Sequence, residues 1–136
     1  MKHLSDYIEA DQTKLFARTG AFFAFSRRQF EQQKTKGTRY VHYSGLGMFC
    51  PKTTADELLA GLDSINRRGI ARDIAENGIK AIIHRTLANY ETQFDGPASD
   101  CSEAIAALAE YPGITPEKVR AEYREYWNHC VDNDYF

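Results

Sequence analysis

His84 and Glu91 are the clearest candidates for metal or acid-base chemistry, because both fall on one predicted helix. They are seven residues apart, which places them on one helical face about 10 Å apart along the axis. A single ion would need a third ligand from elsewhere, such as His42, His129 or an Asp, and the chain has no HExxH spacing. We predict no metal and no cofactor. A metal-dependent hydrolase or nuclease using His84 and Glu91 stays as an alternative.

A second group of reactive side chains lies near the C-terminus, where His129 precedes Cys130 and two acids follow, Asp132 and Asp134. Nucleophilic catalysis needs the base within hydrogen-bond reach of the thiol. Neighbouring residues on a helix point about 100° apart, so His129 does not face Cys130. We therefore assign Cys130 to the apolar face of the last helix.

The stretch Tyr43-Ser-Gly-Leu-Gly47 is the one glycine pair that could hold a phosphate. Such a loop needs a helix start after it, and a strand-like stretch ending at Pro51 follows instead. The pair therefore predicts a turn or bulge between two strands.

Positive charge is concentrated in the segment 27–39. Between Lys14 and Arg39 the chain has seven Lys or Arg residues and one acid, Glu31. Cations with aromatic residues between them suit phosphates and unpaired bases, or an acidic protein. Nucleic-acid binding is the weaker interpretation, because the sequence pI is about 6.1, and a solvated helix face without a partner stays as an alternative. The predicted binding residues are Arg27, Arg28, Lys34, Lys36 and Arg39.

Negative charge is concentrated at the other end of the chain. From Glu91 onwards there are ten acids against three basic residues. A sign difference of this kind can steer a charged partner. The acidic residues that we predict to bind are Glu122, Glu125, Asp132 and Asp134.

Helices must position most of these residues. Ser26 with Gln29, and Thr54 with Glu57, have the form of capping boxes that begin helices. Gly20, Gly37, Gly69 and Gly78 would end helices, Ser5 would cap the first, and Thr115-Pro116 would open the last. Apolar spacing predicts one helix over 79–93. Strands are predicted over 22–25, 39–43 and 46–50.

The whole pattern predicts a mostly helical α+β protein of five or six helices with an antiparallel sheet of two or three strands. A chain of 136 residues with 43% hydrophobic residues fits one compact domain, residues 1–136. The longest apolar run, Ala21 to Phe25, is far short of a membrane span. Because the N-terminus turns polar at once, we expect a cytoplasmic protein.

The stretches "FFAFSRRQFEQQ", "GLGMFCPK" and "IIHRTLANYET" resemble a family of small uncharacterised proteins of bacterial phages, plasmids and other mobile elements. Members often carry His at the position of Tyr90, and this departure weakens a metal site. The resemblance implies a small non-enzymatic accessory protein that binds a host macromolecule, such as a protein of a defence system. Nucleic-acid binding through the segment 27–39 remains an alternative.

Overall fold

Six α-helices and three short strands make up the structure, as predicted for a mostly helical α+β chain. The computed structural model describes residues 1–136. The strands are β1 (Phe22–Phe23), β2 (Tyr40–Tyr43) and β3 (Met48–Pro51). The helices are α1 (Leu4–Thr19), α2 (Arg27–Gln33), α3 (Ala55–Asn77), α4 (Ile79–Asn89), α5 (Ser102–Ala107) and α6 (Pro116–Asn133).

The chain divides into two compact units, residues 2–71 and residues 72–136, which we call the N-terminal and C-terminal units. Helix α3 continues across the boundary, so its last turns belong to the C-terminal unit. One domain over residues 1–136 stays a prediction. Each unit is described by itself below.

The N-terminal unit contains the sheet, whose strands are antiparallel in the order β1-β3-β2. Its core joins Leu15 of α1, Met48 and Cys50 of β3, and Leu58 and Ile65 of α3, all buried. Successive strand residues point to opposite faces, so Met48 and Cys50 turn one face of the sheet into this core. Phe49, which lies between them, therefore faces away from the core.

Gly69 does not end a helix, contrary to the sequence prediction of two helices there. It lies inside α3 and is buried, and a Cβ added to it would stand 2.3 Å from Ile8 Cγ2 of α1. Gly69 is thus a point where side chains of α1 approach the backbone of α3. The absence of a side chain matters here for packing rather than for a turn.

Two predicted caps are also wrong. Helix α1 begins at Leu4 with His3 at its cap, and the side chain of Asp6 accepts from the His3 backbone N–H, so Ser5 is not the cap. The Thr54 hydroxyl donates to the Thr19 carbonyl, and Glu57 accepts from Arg18. Long-range partners have replaced the capping box expected from Thr54 and Glu57.

The C-terminal unit packs α4, α5 and α6 around a buried apolar core. Ile82, Ile83 and Leu87 of α4 are each at most 1% exposed, and Val119 and Cys130 lie on the matching face of α6. Thr115 caps α6 by accepting from the Lys118 N–H, with Pro116 at the first turn, as predicted. Cys130 belongs to the apolar face, as predicted from its spacing.

Candidate functional site

The face of the sheet turned away from the core carries a row of rings. Strand pairing places Phe22 opposite Phe49, and Phe49 opposite His42, so the row crosses all three strands. The imidazole of His42 stacks on Phe49 at 4.1 Å between ring centroids, and Phe22 stacks on the other side at 5.7 Å. Phe30 of α2 packs on Phe49 at 4.6 Å and covers part of the row. His42 remains exposed.

An open cleft of about 600 Å³ lies between this row and the start of α2. Arg27 and His42 are the only charged or titratable side chains that line it, so no acid faces its interior. Phe25 stands at the rim with 75% of its surface exposed. The remaining lining residues are Ala24, Ser26, Phe30, Ser44, Gly45, Leu46, Gly47 and Phe49.

The predicted glycine turn forms one wall of this cleft. Ser44–Leu46 form a single 3-10 turn between β2 and β3, and Gly47 follows with a φ of 64°. A Cβ on Gly47 would stand 2.3 Å from the Phe25 ring. The second glycine therefore provides both the left-handed backbone and the space for Phe25. The stretch is a hairpin turn, as predicted.

Local hydrogen bonds fix α2 beside the cleft. Ser26 accepts from the Gln29 N–H at 3.2 Å, as the predicted capping box requires. The return bond is displaced by one residue, because Gln29 Oε1 accepts from the N–H of Phe25 rather than Ser26. Gln33 Nε2 then donates to the Phe23 carbonyl at 2.8 Å. Both ends of α2 are thus tied to the segment before it, through Phe25 and through Phe23 of β1.

The five predicted basic binding residues are all exposed, and they differ in whether an acid neutralises them. Lys34 pairs with Glu31 at 2.8 Å, and this hydrogen-bonded contact lowers the pKa of Glu31. Arg27, Arg28, Lys36 and Arg39 have no carboxylate within 4.0 Å. Positive charge without a salt bridge therefore extends from the cleft along α2 and the connection to β2, with Glu31 the acid that interacts electrostatically with Arg27.

His84 does meet a carboxylate, but Glu91 is not its partner. Helix α4 ends at Asn89, and Glu91 lies beyond it with a left-handed φ of 48°, so the predicted helix over 79–93 is too long. His84 Nε2 lies 2.7 Å from Oε2 of Glu122 on α6. Glu125, one turn further along α6, accepts from Lys80 at 2.9 Å.

The predicted acidic binding residues therefore fall into two pairs. Glu122 and Glu125 already contact side chains of α4, and the hydrogen bond from Lys80 lowers the pKa of Glu125. Asp132 and Asp134 are exposed at the end of α6, where Asp134 forms the left-handed C-cap. Their role in binding stays a prediction.

A buried carboxylate that sequence reasoning missed lies at the end of α3. Asp73 is 0% exposed and accepts two parallel hydrogen bonds from Arg85, at 3.0 and 2.7 Å. Asn77 donates to the same carboxylate at 2.8 Å, and the Tyr111 hydroxyl donates as well. Burial alone would raise the pKa of Asp73, but these hydrogen bonds outweigh it and hold the pKa below its usual value.

One signal in the sequence could have found this network. Asp73 is three residues after Ile70 and eight after Ile65, so it lies on the apolar face of its helix. An acid on an apolar face needs a buried partner, because an unpaired charge there is very costly. The partner's identity, Arg85, required the tertiary structure.

The structure contains no helix that combines the length and the apolar character of a membrane span. The chain belongs to DUF7659, a family of unknown function whose model matches residues 4–129. No curated protein and no solved structure matches the chain.

Proposed function

We propose that this member of DUF7659 is a small non-enzymatic accessory protein of a phage or other mobile element, and that it works in the bacterial cytoplasm by binding a host protein. A component of a defence system is the kind of partner we have in mind. The phage or mobile-element setting rests on the sequence resemblance described above. The binding mode rests on the cleft beside α2.

The observation that carries the proposal is the coincidence of exposed rings with unpaired cations. Phe25 and His42 are exposed at a cleft that no acid lines, and Arg27 enters it. Exposed aromatic side chains and arginines are the groups that contribute most to protein interfaces. Since folding needs neither the exposure of Phe25 nor the charge of Arg27, a ligand is the simplest reason for both.

The same features define the chemistry of the partner. Arg27 and Arg28 are complementary to a run of Asp and Glu, and the rings around Phe49 offer a place for an apolar anchor. We therefore expect an acidic protein segment that contains at least one aromatic or large aliphatic residue. The N-terminal unit has eleven Lys and Arg residues against seven acids, which favours such a partner over a basic one.

The chain offers a matched control for testing this surface. Arg67 and Arg68 form a second exposed Arg-Arg pair in the N-terminal unit, but Arg67 pairs with Asp63 and Arg68 donates to the Ser64 carbonyl. Affinity capture from nuclease-treated host lysate should therefore be run with wild type, Arg27→Ala/Arg28→Ala and Arg67→Ala/Arg68→Ala. The expected partner binds to wild type and to the second variant and is lost from the first.

The captured partner is then purified and titrated against the chain by calorimetry. We expect binding to weaken clearly between 0.1 and 1 M salt, as the screening length falls from about 10 to about 3 Å. An affinity that changes neither with salt nor in the Arg27→Ala/Arg28→Ala variant would overturn the proposal. Capture that disappears on nuclease treatment would point to nucleic acid instead, and a mass that grows with concentration would point to a second copy of the chain.

A further inference from the structure

We propose that His84, Glu122 and Glu125 form a binding site for a divalent transition-metal ion, with Zn²⁺ as the expected occupant. The site belongs to the C-terminal unit and is independent of the cleft beside α2. It uses His84 as sequence reasoning suggested, but replaces Glu91 by two carboxylates of α6. One potential ligand atom from each of the three residues lies within 4.8 Å of the other two.

Helix geometry explains why these groups converge. Glu122 and Glu125 are three residues apart on α6, and such pairs are neighbours on one helical face. Lys80 and His84 are four residues apart on α4 and are neighbours in the same way. The contacts His84 to Glu122 and Lys80 to Glu125 then join the two faces at two successive turns.

The charges of the cluster favour a divalent cation. Two carboxylates lie close together, and the ammonium of Lys80 neutralises only one of them. A divalent ion bound to both carboxylates and to His84 would balance their two negative charges. Lys80 is exposed, so its side chain can leave Glu125 and return to water at little cost.

The ligand types select the kind of ion. A neutral imidazole nitrogen with two carboxylates suits Zn²⁺ and related transition metals, whereas Mg²⁺ and Ca²⁺ prefer oxygen ligands alone. Three protein ligands are also the number found in zinc sites that keep one position for water.

For His84 and Glu122, only a small movement would convert the present contact into coordination. Nε2 of His84 and Oε2 of Glu122 are 2.7 Å apart and share a hydrogen bond. Tetrahedral Zn²⁺ with bonds of about 2.0 to 2.1 Å would separate them to about 3.3 Å. The side chains of His84 and Glu122 are 25% and 28% exposed, so solvent leaves them room for this rotation.

Competition from Lys80 gives the site a distinctive signature. Because the Lys80 ammonium bonds to the Glu125 carboxylate that a metal would need, removing its charge should strengthen metal binding. Removing an ordinary surface cation should have little effect. Few alternative explanations of zinc binding predict that loss of a specific lysine increases affinity.

Calorimetric titration of the full chain with Zn²⁺ tests the proposal. We expect one ion per chain and tighter binding in Lys80→Met. His84→Gln should lower the affinity for Zn²⁺ by at least the 10- to 100-fold that is typical when a partner of a metal ligand is changed. His129→Gln is the matched control, since His129 is exposed on α6, the helix that carries Glu122 and Glu125, and lies outside the cluster. It should bind as wild type does.

A spectroscopic measurement separates this site from adventitious binding. Co²⁺ added in place of Zn²⁺ should give the visible bands of a nitrogen and oxygen site, without charge-transfer bands from a thiolate. The three cysteines are buried, so thiolate bands would indicate metal bound to unfolded chain. Absence of binding by wild type, equal loss in His129→Gln, unchanged affinity in Lys80→Met or thiolate bands would each overturn the proposal. Thermal melting of each variant confirms that it is folded.

Discussion

The cleft beside α2 and the ion pairs of the C-terminal unit use charge in opposite ways. Arg27 at the cleft, and Arg28, Lys36 and Arg39 along α2 and the connection to β2, have no carboxylate within 4.0 Å. In the C-terminal unit, acids meet their partners within the unit: Asp73 meets Arg85, Glu125 meets Lys80 and Glu122 meets His84. These three carboxylates have partners within their unit, whereas the four cations have no carboxylate within 4.0 Å.

Pairing teaches more here than net charge does. The N-terminal unit carries a net charge of +4 and the C-terminal unit −6. In the more strongly charged C-terminal unit, however, several acids are already paired with basic side chains. Removing one member of a buried pair leaves the other unpaired and destabilises the fold. Removing an exposed, unpaired charge affects only what that charge binds. Stability and binding should therefore respond to different substitutions.

The largest expected effect is the loss of the buried pair. Arg85→Ala leaves the Asp73 carboxylate buried without its bidentate partner, and we expect the free energy of unfolding to fall by about 3 to 5 kcal/mol. Urea denaturation measures this change. Arg124→Ala, on the exposed face of α6, is the control and should change stability by less than about 0.5 kcal/mol. Similar losses in both variants would contradict the comparison.

Lowering the pH should remove the contribution of Asp73 to the free energy of unfolding without any mutation. Because the pKa of Asp73 is lowered in the folded state, its stabilisation is present above its unfolded pKa of about 3.9 and is lost as pH falls through the folded pKa. We expect stability to decline below about pH 4, by about 1.4 kcal/mol for each unit of difference between the two pKa values. Unfolding measured from pH 6 to 2 tests this.

Glu31→Gln provides the control for the acid titration, since Glu31 also has a lowered pKa but is exposed. Its acid profile should follow that of wild type, because the exposed pair with Lys34 contributes little. A profile flattened by Glu31→Gln would show that surface pairs, rather than Asp73, govern acid stability.

A glycine pair at the cleft gives a smaller effect. Gly47→Ala forces a side chain into a left-handed position and against the Phe25 ring, so we expect a loss of about 1 to 2 kcal/mol and weaker partner binding. Gly45→Ala meets no atom within 4 Å and should be close to neutral. Thermal unfolding of both variants distinguishes them, and equal melting temperatures would contradict the role given to Gly47.

The smallest effect on stability should come from the residues that matter most for binding. Phe25→Ala and Arg27→Ala/Arg28→Ala remove exposed groups, so each should change the free energy of unfolding by no more than about 0.5 kcal/mol. The same variants should lose the captured partner. A large loss of stability would mean that these side chains support the fold, and the contrast between the two regions would fail.

The parts of the fold that depend on neighbours in sequence were predictable. Gly20 ends α1 in a left-handed conformation, Ser26 caps α2, and Thr115 with Pro116 opens α6. The glycine pair at 45 and 47 makes the expected turn. Each of these features rests on hydrogen bonds or backbone angles within about four residues, which a local pattern encodes.

Two errors are local, since His3 rather than Ser5 caps α1, and α2 ends at Gln33 before Gly37. The other errors involve partners that are distant along the chain. Gly69 resembles a helix stop but is the place where Ile8 approaches α3. Thr54 resembles a cap, but its hydroxyl donates to Thr19. Helical spacing matched His84 with Glu91, but α4 ends at Asn89 and the carboxylate that contacts His84 is Glu122 of α6.

The sequence by itself therefore determined the fold class, most helix ends, the sheet's strands and the uneven distribution of charge, because propensities and apolar periodicity are local. Only the tertiary structure decided which charges are paired with an opposite charge and which are not. Pairs such as Asp73 with Arg85, or Glu122 with His84, join residues 12 and 38 positions apart. Nothing in local spacing specifies such pairs, since they depend on how helices pack around a shared core.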